Sequence, residues 1–290
     1  MSTAVAHLPE YNRQFSSSIM INIKPIALLT MHEKELAVSA ALLAAGFEVF
    51  TYDVFDTDTL GSFTGEIARK GTMLDAAKHK ARLACELTGE RYGLGSEGSF
   101  GGDPWLGISG WGREILVWHD AQDNVDVSAF VQGAQTNYAT KTVQDLDQAL
   151  AFAAQIRFPQ HGIIIRQDAT HFVDKECHNL DELQVHLIDK LVQGPVELSS
   201  DMRAHRNPQR MDMIRLCADE LKNHLLSFCP VCKTAGFRQV GTVPGAICDC
   251  CGAPTQQARA ALFECHSCHH RAEKFLRETI NAQYCDFCNP

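Results

Sequence analysis

The sequence predicts an α/β protein with a mixed sheet and flanking helices, followed by small zinc-ribbon modules. Two observations carry this prediction. Short apolar runs alternate with segments of helical periodicity as far as residue 226, and four Cys-x-x-Cys pairs occupy the remainder. The chain therefore divides into a disordered N-terminal extension (1–20), an α/β domain (21–227) and two zinc ribbons with four cysteine ligands each (228–290).

Charge and hydropathy limit the function classes. The 290 residues carry a net charge of −9; residues 229–290 contribute +1 from six basic and five acidic residues, which leaves −10 for the rest. A chain of this sign is poorly suited to polyanions, so we do not expect a nucleic-acid partner. A magnesium-dependent nucleotide enzyme stays compatible, because the metal supplies positive charge. No apolar run approaches the ~20 residues of a membrane-spanning helix, so no membrane association is expected.

Cysteine placement indicates the compartment. Nine of the 12 cysteines follow residue 228, and no signal peptide precedes them. This pattern is typical of zinc binding in a reducing compartment, so we expect a cytoplasmic protein. The first 20 residues are polar and aperiodic, which predicts disorder and leaves Met20 as an alternative start.

The α/β domain opens with a β-α-β unit. Residues 26–30 form a short apolar strand, an Ala/Leu-rich helix ends at Gly46, and residues 47–52 form a second strand. This order predicts parallel pairing with a right-handed crossover. Thr30, His32 and Lys34 then follow the first strand at the ligand-facing end of the sheet, where Lys34 could reach a phosphate. The alternative is a solvated lysine in a first helical turn.

The segment 71–102 carries the strongest local signals. Thr72 and Asp75 form a capping box for a helix that stops at Gly89, and residues 92–95 suit a strand. A glycine-rich turn with Glu97 at its apex follows, and Gly98, Gly101 and Gly102 are expected to take positive φ. A carboxylate there suits a magnesium ion carrying phosphates. The alternative, a surface turn with a solvated glutamate, is favoured by residue types alone.

Further elements follow in order along the chain. The loop 53–71 offers the carboxylates of Asp56, Asp58 and Glu66. Strands are predicted over 114–119, 125–131 and 162–166, with a hairpin between the first two, and helices over 143–156 and 180–192.

The last helix of the domain is preceded by a basic segment. Asn207 is the predicted N-cap and Pro208 occupies the first turn of a helix that continues to about residue 226. Arg203, His205 and Arg206 lie just before it and make a candidate anion or nucleobase site. The alternative is a charged surface turn.

The tail predicts metal binding directly. Its cysteine pairs are separated by 15, 13 and 16 residues and comprise Cys229, Cys232, Cys248, Cys251, Cys265, Cys268, Cys285 and Cys288. Each pair supplies two thiolates from one tight knuckle, so we expect two structural zinc ions. Sequential pairing, first pair with second and third with fourth, is the simplest arrangement, and a cross-braced pairing is the alternative. Cys250 is then a spare thiol, and Cys85, Cys177 and Cys217 are ordinary residues of the domain.

Three phrases resemble a bacterial family of uncharacterised proteins, a domain of unknown function with a Cys-rich C-terminal tail. They are Phe63-Thr-Gly-Glu-Ile67, Ser96-Glu-Gly-Ser-Phe-Gly101 and Asp201-Met-Arg-Ala-His-Arg-Asn-Pro208. The likeness spans nearly the whole chain after residue 20. It implies no known activity.

More distantly, the domain resembles inosine/xanthosine triphosphate pyrophosphatases. The similar motifs, in the same order, are Thr30-x-His32-x-Lys34, Gly71-Thr72 with Ala77-x-x-Lys80-Ala81, Ser96-Glu97-Gly98-Ser99 and Ala204-His205-Arg206. The chain departs from that family at His32, which replaces an Asn, at Lys34, which comes one residue early, and at Ala204, which replaces a Ser. Its acidic loop has one carboxylate instead of two, so the general base is unassigned.

This second resemblance implies a mechanism, a metal-assisted attack of water on a nucleotide phosphoanhydride. Glu97 would hold magnesium together with Glu66, and Lys34 and Lys80 would neutralise phosphate charge in the transition state. His205 and Arg206 would contact the base or an outer phosphate. The alternative function is a non-catalytic ligand- or protein-binding protein, in which the zinc ribbons contact a protein partner.

Overall fold

The computed structural model describes residues 23–52 and 71–289. The predictions for residues 1–20, Met20, Asp56, Asp58, Glu66 and the 63–67 phrase lie outside the described residues. The strands are β1 (Lys24–Leu29), β2 (Phe47–Tyr52), β3 (Tyr92–Gly102), β4 (Gly110–Asp120), β5 (Val125–Gly133), β6 (Thr140–Val143), β7 (Ile163–Gln167), β8 (Phe172–Asp174), β9 (Val196–Ser200), β10 (Arg238–Pro244), β11 (Ile247–Cys248), β12 (Ala258–Glu264), β13 (Arg271–Phe275) and β14 (Thr279–Ile280). The helices are α1 (Glu35–Ala44), α2 (Met73–Thr88), α3 (Leu146–Gln155), α4 (Leu180–Leu191) and α5 (Pro208–Leu226).

The predicted mixed sheet is confirmed and has the strand order β2-β1-β3-β4-β5. Strand β1 pairs in parallel with β2 and β3, as a β-α-β unit requires, whereas β3, β4 and β5 form an antiparallel meander. Its main core unites α1, α5 and apolar side chains of β1, β3, β4 and β5. A smaller core joins Ala77 and Ala81 of α2 to Ile115 and Val117. Helices therefore cover both faces of this sheet.

A second sheet, which the sequence did not separate from the first, is antiparallel with the order β6-β9-β7-β8. It packs with α3 and α4 around its own core, which includes Phe152, Ile163, Leu183 and Leu198. The segment after β9 returns the chain to the first sheet through α5. The cleft between the first and second sheets is therefore lined by residues that lie before and after this connecting segment.

The predicted ends of α2 and the predicted start of α5 are confirmed in detail, whereas the helix predicted over 143–156 begins at Leu146 because Val143 belongs to β6. The capping box of α2 is present, with the Thr72 hydroxyl accepting from the Asp75 N–H, and Gly89 ends the helix at a φ of 77°. Asn207 caps α5 by accepting from the Arg210 N–H, and Pro208 is its first residue. These local signals work because each satisfies a backbone group that the helix leaves unpaired.

The remaining residues, 228–289, form a unit that we call the cysteine tail. Strands β10, β12 and β13 make an antiparallel three-stranded sheet, and β11 pairs with β14. The tail contacts the outer strand β5, where the Arg238 guanidinium donates to the backbone oxygen and the hydroxyl of Ser128 at 3.3 and 3.0 Å. The Gly236 N–H also donates to the backbone oxygens of His224 and Ser227. The tail is therefore seated on the first sheet beside the end of α5.

Candidate functional site

The candidate site lies where β1 ends and its neighbour β3 continues. The last paired residues of the two strands are Leu28 and Leu94, and β1 stops at Leu29 while β3 runs on to Gly102. Thr30, His32 and Lys34 follow β1 at this point, and all three side chains are buried. Such an edge, at the carboxyl end of a parallel strand, is the usual ligand position in an open α/β sheet.

On the α2 side of the sheet, the site is an ion pair between Lys80 and Glu97. Lys80 Nζ lies 2.6 Å from Glu97 Oε1, and both side chains are at most 10% exposed. The helix comes so close to β3 that a Cβ at Gly95 would overlap the Ala77 carbonyl oxygen. The glycines of β3 thus bring the α2 backbone, and Lys80 with it, close to the strand.

Glu97 is consequently not at the apex of a turn, and that prediction is wrong. It lies in the middle of an 11-residue strand, opposite Ile115, and is buried. Gly98, Gly101 and Gly102 are not among the glycines with positive φ. Close packing on both faces of the extended strand, against α2 at Gly95 and against Glu114 and Arg210 at Gly98, accounts for these two glycines.

The α5 side of the sheet holds a second ion pair, between Arg210 and Glu114. Arg210 Nε donates to Glu114 Oε1 at 2.7 Å, and the two side chains are 0 and 1% exposed. Arg210 also donates to the Met202 carbonyl oxygen. A Cβ at Gly98, which pairs with Glu114 across the strands, would come within 2.5 Å of Glu114 Oε1. Only a glycine leaves room for this pair.

The charges of both ion pairs act on Lys34. Burial, followed by the charges of Arg210 and Lys80, lowers the pKa of Lys34 from 10.5 to about 7, although Glu114 and Glu97 oppose the shift. Burial likewise raises the pKa of Glu114, against the opposing effect of Arg210. We call Lys34, Lys80, Glu97, Glu114 and Arg210 the ion cluster. It combines three cationic side chains with two carboxylates in a buried place.

The pKa of Lys34 gives a testable pH dependence. Between pH 7 and 10.5 the unfolded chain holds the lysine proton and the folded chain releases it, so the free energy of unfolding rises with pH. The gain is complete above the unfolded pKa and is lost as the pH falls through about 7. From pH 7.5 to 9 we expect Lys34→Met to reduce the rise by about 1–2 kcal/mol. Urea unfolding at both pH values measures it, with Lys222→Met, at a partly exposed lysine of α5, as the control. Equal slopes in all three proteins would contradict it.

Other predicted site residues lie around the cluster or beyond it. The His32 N–H donates to Thr30 Oγ1 at 3.2 Å, and the His32 ring stacks on His205 with centroids 5.1 Å apart. Burial, followed by His32, lowers the pKa of His205. Arg203 pairs with the carboxylates of Asp201 and Glu176 at 2.9 Å.

Arg206 contacts the segment that precedes α4. Its guanidinium bonds to His178 Nδ1 at 2.7 Å and donates to the Cys177 carbonyl oxygen. The basic residue that acts most strongly on Lys34 is Arg210, one helical turn later. The structure therefore brings Lys34, Lys80 and Glu97 together with Arg210.

A cavity of about 360 Å³ adjoins the cluster. The Arg210 guanidinium lies over the Phe100 ring, 5.3 Å from its centroid, and bonds to Met202, so both of these lining residues contact a member of the cluster. The rest of the lining comes from the second sheet and the segment before it: Tyr138, Thr140, Ile164, Arg166, Glu197, Ser199 and Ser200. Aromatic, hydroxyl and charged groups therefore surround a space beside the buried cations.

Glu114 and Arg210 were not among the predicted site residues, although the sequence contains a signal for each. In β4 the side chains of Leu116 and Trp118 belong to the main core, and Glu114 has the same parity. Arg210 is one residue before Met211 and lies three positions after the N-cap of α5, on its buried face. A charged residue in phase with core residues indicates a buried pair or a site.

The cysteine tail brings its eight paired thiols into two quartets. The first quartet is Cys229, Cys232, Cys265 and Cys268, and the second is Cys248, Cys251, Cys285 and Cys288; within each, the Sγ atoms lie within 4.8 Å of one another. Each quartet could hold a metal ion. The simplest pairing, sequential, is therefore wrong, and the first pair joins the third.

Strand direction explains this interleaving. Strands β10, β12 and β13 run antiparallel along the same length, with Arg238 opposite Glu264 and Glu264 opposite Arg271. Each strand carries the chain from one end of the small sheet to the other. Successive cysteine pairs therefore alternate between its ends.

No helix within residues 23–52 and 71–289 combines the length and the apolar character that crossing a membrane requires.

Comparison with known proteins identifies one family. The family described as Domain of unknown function (DUF6671) matches residues 80–290, from Lys80 of the ion cluster to the end of the cysteine tail. Searches of curated proteins and of solved structures each returned no match.

Proposed function

The chain belongs to the family described as Domain of unknown function (DUF6671), and from its ion cluster we propose that it is a magnesium-dependent hydrolase of a nucleotide phosphoanhydride. The observation that carries the proposal is the burial of three basic side chains and two carboxylates where β1 ends, contributed by the residue before α1 and by α2, β3, β4 and α5. Burying a charged side chain is costly, so a cluster of buried charged groups is typical of a functional site.

The excess of positive charge favours a phosphate ligand. Lys34 precedes the first residue of α1, Lys80 lies on α2 and Arg210 on α5, so a phosphate chain here would meet cations from three elements. A phosphate beside Lys34 would raise the pKa of its amine and keep it protonated. Lys34 and Lys80 would then neutralise charge that develops during cleavage.

The ion cluster offers a carboxylate oxygen suited to magnesium. Glu114 Oε2 is buried and accepts no hydrogen bond from the described residues, so it offers a hard oxygen of the type magnesium prefers. Glu97 carries the second carboxylate on the opposite, α2 side of the sheet, where it is bound to Lys80, so one metal ion would not take both carboxylates. When bound, the metal would offset phosphate charge. The cavity beside Phe100 and Tyr138 provides room for the nucleoside portion of the substrate.

The metal of the cysteine tail is proposed to be zinc. Four thiolates around a zinc ion at about 2.3 Å give Sγ–Sγ separations of about 3.8 Å in a tetrahedron. The closest cross-pair separations are 3.5 and 3.6 Å in the first quartet and 3.7 and 3.8 Å in the second. With four protein ligands each site is closed, so its role is structural.

An assay of the intact protein tests the proposed activity. Nucleoside triphosphates are incubated with and without added magnesium, and chromatography separates nucleoside monophosphate, pyrophosphate and phosphate. Magnesium is omitted instead of chelated, because a chelator would also remove tail metal. We expect magnesium-dependent hydrolysis of at least one nucleotide. No hydrolysis across a panel of purine and pyrimidine triphosphates would overturn the proposal.

Glu97→Gln should lower that activity roughly a hundredfold or more, since it removes a charge at the reacting site. It also leaves Lys80 buried without its carboxylate partner, so stability must be measured too. The double variant Lys80→Met/Glu97→Gln removes both charges and should recover stability while staying inactive. Glu86→Gln, on the exposed face of α2, is the matched control. An active double variant would show that the pair is only structural.

A second candidate function, protein binding through the tail, has one observation in its favour. Val231 and Phe287 each occupy the third position of a Cys-x-x-Cys knuckle and are 63 and 79% exposed. Apolar side chains presented on metal-tied knuckles suit a protein partner. An inactive wild type with intact metal content would make this the better account.

A further inference from the structure

A second cleft, separate from the ion cluster, lies at the start of α5. It has a volume of about 350 Å³ and is lined by Gln135, Arg157, His161, Gln209, Met213 and Leu216. We call it the His161 cleft. Pro208, the first residue of α5, also lines it, so the cleft lies against the N-terminus of a 19-residue helix. That end of a helix carries partial positive charge.

His161 gives the cleft its chemistry. The side chain is only 4% exposed, yet neither Nδ1 nor Nε2 has a hydrogen-bond partner among the described residues. An unsatisfied buried polar group is costly, which favours a ligand that completes its hydrogen bonds. Burial, followed by the Arg157 charge, lowers the pKa of His161, so the ring is neutral at pH 7 and has one N–H to donate.

The groups near His161 favour an anion. Arg157 is exposed and donates to Gln209 Oε1 at 2.5 Å, and this is the one side-chain hydrogen bond it makes within the described part of the chain. Its other N–H groups remain as donors, together with the amide of Gln135. One carboxylate, Asp212, also lines the cleft, but it pairs with Arg215 at 2.5 Å. Donors therefore exceed available acceptors.

We propose that the His161 cleft binds a small organic oxyanion, a carboxylate or phosphate ester with a short apolar body. Arg157 and His161 would hold the anionic group beside the helix N-terminus, and Met213 and Leu216 would contact the apolar body. The volume is several times the ~30 Å³ share of a water molecule, so the cleft has room for an apolar body beside the anionic group. The site is independent of the proposed hydrolase activity.

Histidine NMR on the intact, metal-loaded chain tests this proposal. The probes are benzoate, phenyl phosphate and inorganic phosphate, and the His161 signal is identified among 13 histidines by its absence in His161→Gln. A bound anion favours the imidazolium, so the pKa of His161 should rise by about one pH unit. Benzoate and phenyl phosphate separate the carboxylate from the phosphate ester, and inorganic phosphate shows what the apolar body adds.

The variant Arg157→Gln keeps the backbone intact and removes the charge. It should weaken saturable binding of the better organic probe at least tenfold, the loss expected for a charge-assisted hydrogen bond. Lys222→Gln, at a partly exposed lysine of α5 that does not line the cleft, is the control and should bind normally. A His161 signal that never saturates, or binding that is equal in wild type and Arg157→Gln, would overturn the proposal.

Discussion

The double variant Cys232→Ser/Cys265→Ser is expected to lose one metal ion per chain, and Cys232→Ser/Cys251→Ser is expected to lose both. The reason is the interleaved pairing: Cys232 and Cys265 belong to one quartet, whereas Cys251 belongs to the other. Sequential pairing would give the opposite result for each variant. Native mass spectrometry of protein prepared without chelator counts the ions directly, with Cys250→Ser as the control that should keep both.

The structural effect of losing an ion should be large but local. Structural zinc contributes apparent binding free energies of about 10–16 kcal/mol in zinc-finger peptides, and that binding is coupled to folding. The cores around α1, α5 and the second sheet contain no tail residue, so the α/β domain should stay folded. Limited proteolysis should then cleave within the tail. Cleavage throughout the domain would contradict independent cores.

Arg210→Met is expected to lower the free energy of unfolding by about 3–5 kcal/mol at pH 8, the cost of leaving a buried charge without its partner. The partner is Glu114, whose side chain is 1% exposed. Replacing both residues, as Arg210→Met/Glu114→Leu, should recover most of the loss. Urea unfolding of wild type, Arg210→Met, Glu114→Leu and the double variant measures the coupling as a double-mutant cycle.

The loss should depend on pH, and this separates charge from packing. Without Arg210, burial raises the pKa of Glu114 further above its ordinary value, so the folded chain gains a proton that the unfolded chain lacks. Stability is then retained at low pH and lost as the pH rises through the folded pKa. Arg210→Met should therefore be less destabilised at pH 5 than at pH 8. A pH-independent loss would show that packing alone is responsible.

The parts of the fold that depend on neighbours in sequence could be predicted. The β-α-β unit, the capping box at Thr72 and the Asn207-Pro208 start of α5 all result from local backbone chemistry, and all are confirmed. Glu97 shows the limit. A glycine-rich segment suits a turn or a closely packed strand equally well, and what decides between them is the approach of α2, a contact made in three dimensions.

The candidate site and the cysteine tail likewise each have a part that the sequence predicts and a part that depends on the fold. Short motifs predict Lys34, Lys80 and Glu97 as site residues, and the fold brings the three side chains together. Arg210 and Glu114 are separated by 96 residues, so their pairing depends on how α5 packs on β4. The thiol ligands were evident from spacing, but which pair joins which is fixed by the reversal of β10, β12 and β13.

The seat of the cysteine tail on β5 has a consequence for self-association. Among the residues that the structure describes, β5 is the last strand on its side of the sheet, and a bare outer strand offers unpaired peptide groups to any other chain. Arg238 and His224 both bond to the backbone oxygen of Ser128 and so occupy part of that edge. Loss of the tail metal would weaken the contacts between the tail and β5, and would expose the β5 edge to strand pairing with another chain. The metal supply would then affect self-association of the protein as well as the folding of the tail.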